Sequence, residues 1–351
     1  MAQQRTELGS DFGRATLEQA VGTRFEHDSH HEPMDATSPS EWLSEDFIEE
    51  LKRLRVAVLL PCKDEEAAIA SVISDFRRVL PHSTVYVYDN ASSDLTAASA
   101  RAAGAVVHHV PLPGKGNVVR RMFADIDADV YVLTDGDGTY APDAAPRLIE
   151  RLLRDHLDMV IGTRDGTSLN GKAYRRGHQL GNRVLTRSVR WLFRGGSADM
   201  LSGYRVFSRR FVKSFPALSR GFEIETEMTV HALELRLPFE DVATDYSARL
   251  DGSRSKLRSL PDGFRILKFI LLLWKDYRPL GFFSFVALLS EIAALAAAWH
   301  GRNYLHTWSP STFGFVGFTA FASLALLGGI VLNSLSRTQR ELKRMLYLAI
   351  S

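Results

Sequence analysis

The chain has 351 residues, enough for one large domain or two modest ones, and its 45% hydrophobic content permits a sizeable core. A formal charge of +2 gives no bulk basic field, which argues against nucleic acid as a partner. One cysteine, Cys62, excludes an intramolecular disulfide framework and fits a reducing compartment. It reads as a small packed thiol behind Pro61 rather than a nucleophile.

Residues 1–40 are polar, lack a period and carry no apolar stretch of signal-peptide type, so they read as a disordered tail. Over 41–54, Trp42, Leu43, Phe47, Leu51 and Leu54 fall at helical spacing, which predicts an acidic amphipathic helix. From 55 to about 247, β-like runs (55–60, 84–88, 105–110, 130–134 and 159–162) alternate with helical stretches near 65–80, 94–103, 115–126 and 142–155. That alternation predicts βαβ units on a largely parallel, Rossmann-like sheet. Ligands of such sheets bind at the carboxyl ends of strands. Polar clusters sit at those ends here: Lys63-Asp64-Glu65, Asp89-Asn90, Asp135-Gly136-Asp137 and Thr163-Arg164.

A basic amphipathic helix follows at about 174–194, and a second amphipathic element, placed within 257–278, leads into an apolar span; both suit a membrane surface. Residues 279–299 hold one charge, Glu291, and 313–335 hold none. At ~1.5 Å rise per residue each reaches ~30 Å, the thickness of a bilayer core. Lys268, Lys275 and Arg278 precede this hairpin (279–335), and Arg337, Arg340, Lys343 and Arg344 follow it in a 336–351 tail. The loop 300–312 has only Arg302, so both ends are expected in the cytoplasm and the protein in the cytoplasmic membrane, catalytic side inward. Trp299, Tyr304 and Trp308 would form the outer aromatic belt, and Glu291 and Gly328-Gly329 hint at a homo-oligomer.

The chemistry centres on Asp135 and Asp137, delivered at the end of the apolar run 130–134. In an extended chain, side chains two apart point the same way. Two hard oxygen ligands that leave most of the coordination shell open suit Mg²⁺ or Mn²⁺ carrying a diphosphate. A surface turn is the other reading, because Asp-Gly is common turn chemistry. Gly114-Lys115-Gly116 lacks the spacing of a Walker A loop, but a Lys between glycines can reach a phosphate. No Gly-x-Gly-x-x-Gly follows the first strand and no His/Cys spacing suits zinc. Glu223, Glu225 and Glu227 open a helix, where acidic residues complement its dipole; a catalytic or acceptor-side role for Glu225 is the alternative.

Several stretches carry a resemblance. They are 60–66 (Leu-Pro-Cys-Lys-Asp-Glu-Glu), 89–94 (Asp-Asn-Ala-Ser-Ser-Asp), 113–117 (Pro-Gly-Lys-Gly-Asn), Asp135-Gly136-Asp137, Gly162-Thr163-Arg164, 199–207 and 249–256. In this order over 56–256 the chain resembles family 2 glycosyltransferases, specifically the polyprenyl-phosphate (dolichol-phosphate) sugar synthases. The two terminal spans resemble that family's membrane-anchored branch. The family usually has Asn at Lys63, Asp at Asn90 and, in many members, Gln at Thr139.

The resemblance implies a GT-A-type α/β domain over 55–256 and a nucleotide-sugar donor, with Asp89 near its base and Asp135 and Asp137 at the metal. Pro61, Lys63, Glu65, Asn90, Lys115 and Gly136 would complete the donor site. The acceptor would be a polyprenyl phosphate, with a second pKa of ~6 and therefore mostly a dianion at pH 7. Such a site must hold two anions together, which suits Arg164, Arg175, Arg176, Arg205, Arg249 and Lys256, with Ser253 and Ser255 beside them. The expected reaction is inverting transfer of one sugar from a UDP- or GDP-linked donor. A processive polysaccharide synthase and a non-enzymatic membrane scaffold are the rivals.

Overall fold

The computed structural model describes residues 44–164, 176–193, 195–247, 259–300 and 310–350; side chains 176–183, 185 and 259–267 are outside that description. The 1–40 segment therefore lies outside the described residues.

Helix α1 (Glu45–Arg53) opens with Ser44 capping Phe47 N, and its buried Phe47 joins the main core. A seven-stranded sheet follows: β1 (Val56–Cys62), β2 (Thr84–Asp89), β3 (Val106–His109), β4 (Val130–Leu133), β5 (Met159–Arg164), β6 (Arg205–Ser208) and β7 (Phe239–Thr244), in the order β3-β2-β1-β4-β6-β5-β7. Strands β1 to β4 pair in parallel, as the alternating pattern predicts. The sequence pattern gave no sign of β6 and β7. Strand β6 runs antiparallel to both β4 and β5, and β7 is a half-exposed edge bearing Glu240 and Asp241. Neither shows the long apolar run that marks a buried parallel strand.

The connecting helices are α2 (Glu66–Val79), α3 (Thr96–Ala102), α4 (Lys115–Asp125) and α5 (Ala145–Arg154), the last entered through a 3-10 turn at Pro142–Ala144. Their apolar faces cover both sides of the sheet. Val58, Leu60, Val132 and Val206 pack on α2 and α5, and Leu59, Tyr131 and Phe207 on α4 and α7 (Arg209–Ser214). Each such fully buried aliphatic side chain stabilises by ~1.5–3 kcal/mol. The chain runs β1 to β3 outward on one side and then crosses to β4 on the other. The crevice between β1 and β4 is thus the topological switch point where open α/β sheets bind ligands.

Helix α6 (Arg176–Phe193) and α8 (Ile224–Leu235) pack together, and α9 (Ser259–Tyr277) lies on α6 through Leu273, Val189 and Leu192. The far side of α6 leaves Trp191 67% exposed, its ring edge on Trp274. Helices α10 (Pro279–His300) and α11 (Pro310–Ala349) form an antiparallel pair, each long and apolar enough to cross a membrane. Small residues make the contact: Ala287, Ala294, Ala322, Ala325 and Gly329 are buried, and Ser290 Oγ donates to Phe318 O at 2.7 Å. Close approach through small side chains is how helices associate without water to drive them.

The segment 336–351, expected as a tail, is instead mostly the end of α11. No Gly or Pro interrupts the chain after Gly329, so the helix continues past its apolar turns and docks on the sheet domain. Lys343 Nζ lies 2.8 Å from Glu234 Oε2 of α8, and Tyr347 Oη donates to Asp158 Oδ2 at 2.7 Å.

Candidate active site

Three carboxyl-end loops are stitched together at the switch point. The β1 loop and the β2 loop exchange hydrogen bonds: Asp64 N to Ser92 Oγ (2.9 Å), Ser93 N to Asp64 Oδ1 (2.7 Å), Glu65 N to Thr96 Oγ1 (2.8 Å) and Glu66 N to Asp94 Oδ2 (3.2 Å). Asp64 takes a left-handed φ of 50° to make this crossing, a conformation that Asp tolerates. Pro61 is half-buried, Glu65 buried and Lys63 exposed on this rim. Asp89, at the end of β2, pairs its Oδ2 with His109 Nδ1 at 3.1 Å, and Ser92 N donates to Oδ1 at 3.3 Å.

Asn90 has a different duty from the donor contact expected of it. Both hydrogens of its amide are committed, to Val110 O (3.0 Å) and Leu112 O (2.7 Å), and its Oδ1 accepts from Gly114 N (2.7 Å). It shapes the loop that starts α4. Lys115 likewise does not stand in a phosphate cradle. Gly114 (φ +122°) and Gly116 let the backbone approach segment 219–220: a Cβ on either would fall 2.2 Å from a carbonyl oxygen, of Arg220 and Ser219 respectively. That segment is held by Glu227, which accepts from Leu218 N (2.8 Å) and Ser219 N (2.7 Å), and by Arg120. The Lys115 ammonium is thereby driven inward, 2.5 Å from Asp135 Oδ1 and 2.6 Å from Glu225 Oε1. Burial alone would lower its pKa; the two carboxylates outweigh that and raise it well above the ordinary lysine value. The Lys side chain is 8% exposed and stays charged.

Asp137 lies in a turn after β4, with Asp135 between the strand end and that turn and Gly138 at φ +73°. The turn is nonetheless no surface loop. Asp137 is 3% exposed, and Thr139 donates to its Oδ1 through both N (3.1 Å) and Oγ1 (2.6 Å). Asp135, at 31% side-chain exposure, is the open member of the pair. Gly136 sits on Cys62: a Cβ there would meet Sγ at 2.4 Å. Burial, then the charges of Glu65, Asp135, Asp89 and Asp137, push the Cys62 thiol well above its ordinary pKa, so it is packing and not a nucleophile. Gly203 does the same work across the site, where a Cβ would fall 2.7 Å from Asp135 Oδ2.

The residues present fit a divalent cation. Asp135 and Asp137 are carboxylates, the hard oxygen donors that Mg²⁺ and Mn²⁺ take, at one turn beside the switch-point crevice. Among the described residues no cluster of three or more His, Cys, Asp or Glu could hold a metal, so a diphosphate and water would have to complete the shell.

Arg164 leaves β5 and forks onto Asp199, with Nε at 2.6 Å and Nη2 at 2.7 Å from its oxygens. Arg205 departs from its expected phosphate-binding role. It is wholly buried in β6, where Nε donates to Ser202 O (3.0 Å), Nη2 to Met200 O (3.0 Å) and Nη1 to Thr229 Oγ1 (2.8 Å). Burial lowers its pKa to about 10, so it remains a cation beneath the floor of the site, fixing the 199–203 loop. Arg175, Arg249, Ser253, Ser255 and Lys256 lie outside the described residues; Arg176 begins α6 with its side chain undescribed. Glu225 is the residue the sequence undervalued. It is 4% exposed at the start of α8, and its Oε2 is buried without a hydrogen-bond partner. Its place among acidic helix-opening residues disguised it as dipole compensation.

A mixed sheet of this order with an acidic turn at the switch point defines a glycosyltransferase of GT-A type. The chain matches the model of glycosyl transferase family 2 over residues 57–215, and it belongs to that family. It is 52% identical over 124 residues to protein RfbJ of Shigella flexneri, covering 35% of this chain and 95% of that one. It is 35% identical over 244 residues to glycosyltransferase AglJ of Haloferax volcanii (69% and 80% covered), and 27% over 197 residues to the undecaprenyl-phosphate mannosyltransferase of Micrococcus luteus (52% and 79%). Among solved structures it resembles glucosyl-3-phosphoglycerate synthase of Mycobacterium tuberculosis in complex with Mn²⁺, UDP and glucosyl-3-phosphoglycerate. That likeness has a TM-score of 0.53 and 25% identity, over 70% of this chain and 85% of that one.

Proposed function

We propose that the protein transfers one sugar from a UDP- or GDP-linked donor to polyprenyl phosphate at the cytoplasmic face of a membrane. The observation that carries this reading is the joining, in one chain, of the Asp135–Asp137 turn at the β1/β4 crevice to two apolar helices of membrane-crossing length. The relative whose name specifies an undecaprenyl-phosphate acceptor, and the neighbour solved with Mn²⁺ and UDP, support the two halves of it.

Asp89 and the tied loops of β1 and β2 would hold the nucleoside, and Asp135 and Asp137 would hold Mg²⁺ or Mn²⁺ with the diphosphate. When bound, that ion offsets the negative charge gathering on the departing diphosphate. An acceptor phosphate oxygen attacks the anomeric carbon as the bond to the nucleoside diphosphate breaks, and that diphosphate leaves with the electron pair. Direct displacement inverts the anomeric centre. The acceptor phosphate is already anionic near pH 7, so the site needs cations more than a base. Arg176, Arg249 and Lys256, with Arg175, Ser253 and Ser255, are proposed to supply that grip, and Arg164 to border it from its fork on Asp199. The exposed Trp191 face of α6, next to α9, is proposed to rest on the lipid surface and lead the acceptor in.

The test is a panel of nucleotide sugars offered with short polyprenyl phosphates and Mg²⁺ or Mn²⁺, products read by mass spectrometry. A polyprenyl-phosphate monosaccharide that disappears under EDTA is expected. Turnover indifferent to EDTA, or sugar chains longer than one unit, would overturn the reading.

A further inference from the structure

Two carboxylates, Asp135 and Glu225, flank one buried ammonium: Lys115 Nζ touches them at 2.5 Å and 2.6 Å, and Asp137 stands two residues from the first. A divalent cation binding Asp135 would stand ~2.1 Å from a carboxylate oxygen. That oxygen's group is the one Lys115 now holds. Ammonium and dication would then share one carboxylate, with the ammonium itself 8% exposed, an arrangement that Coulomb repulsion disfavours. Lys115 has little room to retreat by its backbone, because Gly114 and Gly116 press against 219–220. A Cβ on Gly203 would fall 3.1 Å from Nζ, which closes another side. The remaining direction is toward Glu225. Its Oε1 already receives the ammonium, while its Oε2 is buried with no partner. An unpaired buried carboxylate oxygen is costly and calls for a reason.

We propose that Lys115 is a resident counter-cation of the metal site: it neutralises Asp135 while no metal is bound, and passes wholly to Glu225, taking up the waiting Oε2, when a divalent cation arrives. The inference rests on Asp135 being a metal ligand. Free protein then binds metal weakly, because each ion must displace the ammonium. A nucleoside diphosphate brings the negative charge that favours the displaced arrangement, so metal and nucleotide load together, each tightening the other by the same factor. Glu225 acts through Lys115 and is a positioning residue.

The test measures Mn²⁺ binding by electron paramagnetic resonance on the full chain in detergent, with and without UDP or GDP and with no sugar donor. It compares wild type, Lys115→Met, Glu225→Gln and the double variant. Without nucleotide, Lys115→Met is expected to bind Mn²⁺ about tenfold more tightly, and Glu225→Gln about threefold more weakly. The double variant should match Lys115→Met, because Glu225 matters only as the receiver of Lys115. Additive effects of the two substitutions would reduce the cluster to ordinary electrostatics and overturn the switch. So would unchanged or weaker binding by Lys115→Met. If that variant fails to fold, the double variant, which loses one charge of each sign, is set against Glu225→Gln and should bind more tightly. Wild type that binds no Mn²⁺ even with nucleotide would instead sink the metal reading itself.

Discussion

Leucine behaves in opposite ways in the two halves of this molecule. In the sheet, Leu59 and Leu60 have no exposed surface, whereas Leu295 on α10 is 63% exposed and Leu324 on α11 is 67% exposed. The head also pairs charges it buries, Lys115 with Asp135 and Glu225 and Arg164 with Asp199, while buried Arg205 is held by neutral acceptors. The helical pair does the reverse, turning alanine and glycine inward and large apolar side chains outward. Water would penalise that outer surface, and hydrocarbon would not. The helical pair could thus sit in hydrocarbon, while the candidate site lies in the half that buries its leucines.

The strongest way to break that division is Asp137→Asn, which keeps shape and removes one buried charge. Incorporation of labelled sugar into extractable lipid should fall about 10²–10³-fold, and unchanged transfer would remove Asp137 from the metal. Next in size is Arg205→Met. It leaves Ser202 O, Met200 O and Thr229 Oγ1 without their donor, so denaturant unfolding should show a loss of about 2–3 kcal/mol. A stable Arg205→Met variant that fails only in catalysis would return this residue to phosphate binding.

A smaller effect comes from His231, packed on the rings of Phe211 and Phe215. Burial first, and then the Lys343 charge, lower its pKa from the ordinary 6.5 to about 3. The unfolded chain protonates this group near pH 6.5 and the folded one does not. Its contribution is complete above 6.5 and is lost as pH falls from there toward 3, at about 1.4 kcal/mol per unit. His231→Phe should therefore flatten the fall in melting temperature between pH 7 and pH 5.5, and an identical slope would refute it. The mildest change is Glu234→Gln, which loosens the docked end of α11. As Lys343 is partly exposed, stability should drop by less than about 1 kcal/mol. Transfer to a long-chain acceptor in vesicles should fall relative to a short soluble one; equal losses on both would deny that dock a part in presenting the site to lipid.

The parallel half of the sheet was legible because buried parallel strands carry continuous apolar runs: Val-Ala-Val-Leu-Leu at 56–60 and Val-Tyr-Val-Leu at 130–133 cannot be mistaken. Strand β6 escaped because it begins with Arg205, a cation whose burial depends on acceptors from 200, 202 and 229, which no local pattern reveals. The donor loops were readable as motifs, but the duties within them were not. Asn90 and Lys115 both sit in recognisable stretches, yet whether each faces ligand or protein is decided by segments about 20 to 110 residues away. The length of α11 was not legible for a simpler reason. The span was read to end where hydrophobicity stops, near Leu335, and hydropathy does not mark where a helix ends; the composition beyond it remains helix-forming.

That unbroken final helix has a mechanical consequence. Its 40 residues make a rod ~60 Å long, gripped at one end by α10 and at the other by Glu234 and Asp158 of the catalytic head. With its apolar turns in a bilayer, a rod fixed at both ends would act as a stilt: it would set one working height for the crevice and transmit any vertical displacement of its greasy turns straight to the chemistry. Turnover should then track the thickness of the surrounding bilayer, peaking where those turns are just covered and declining in sheets too thin or too thick for them.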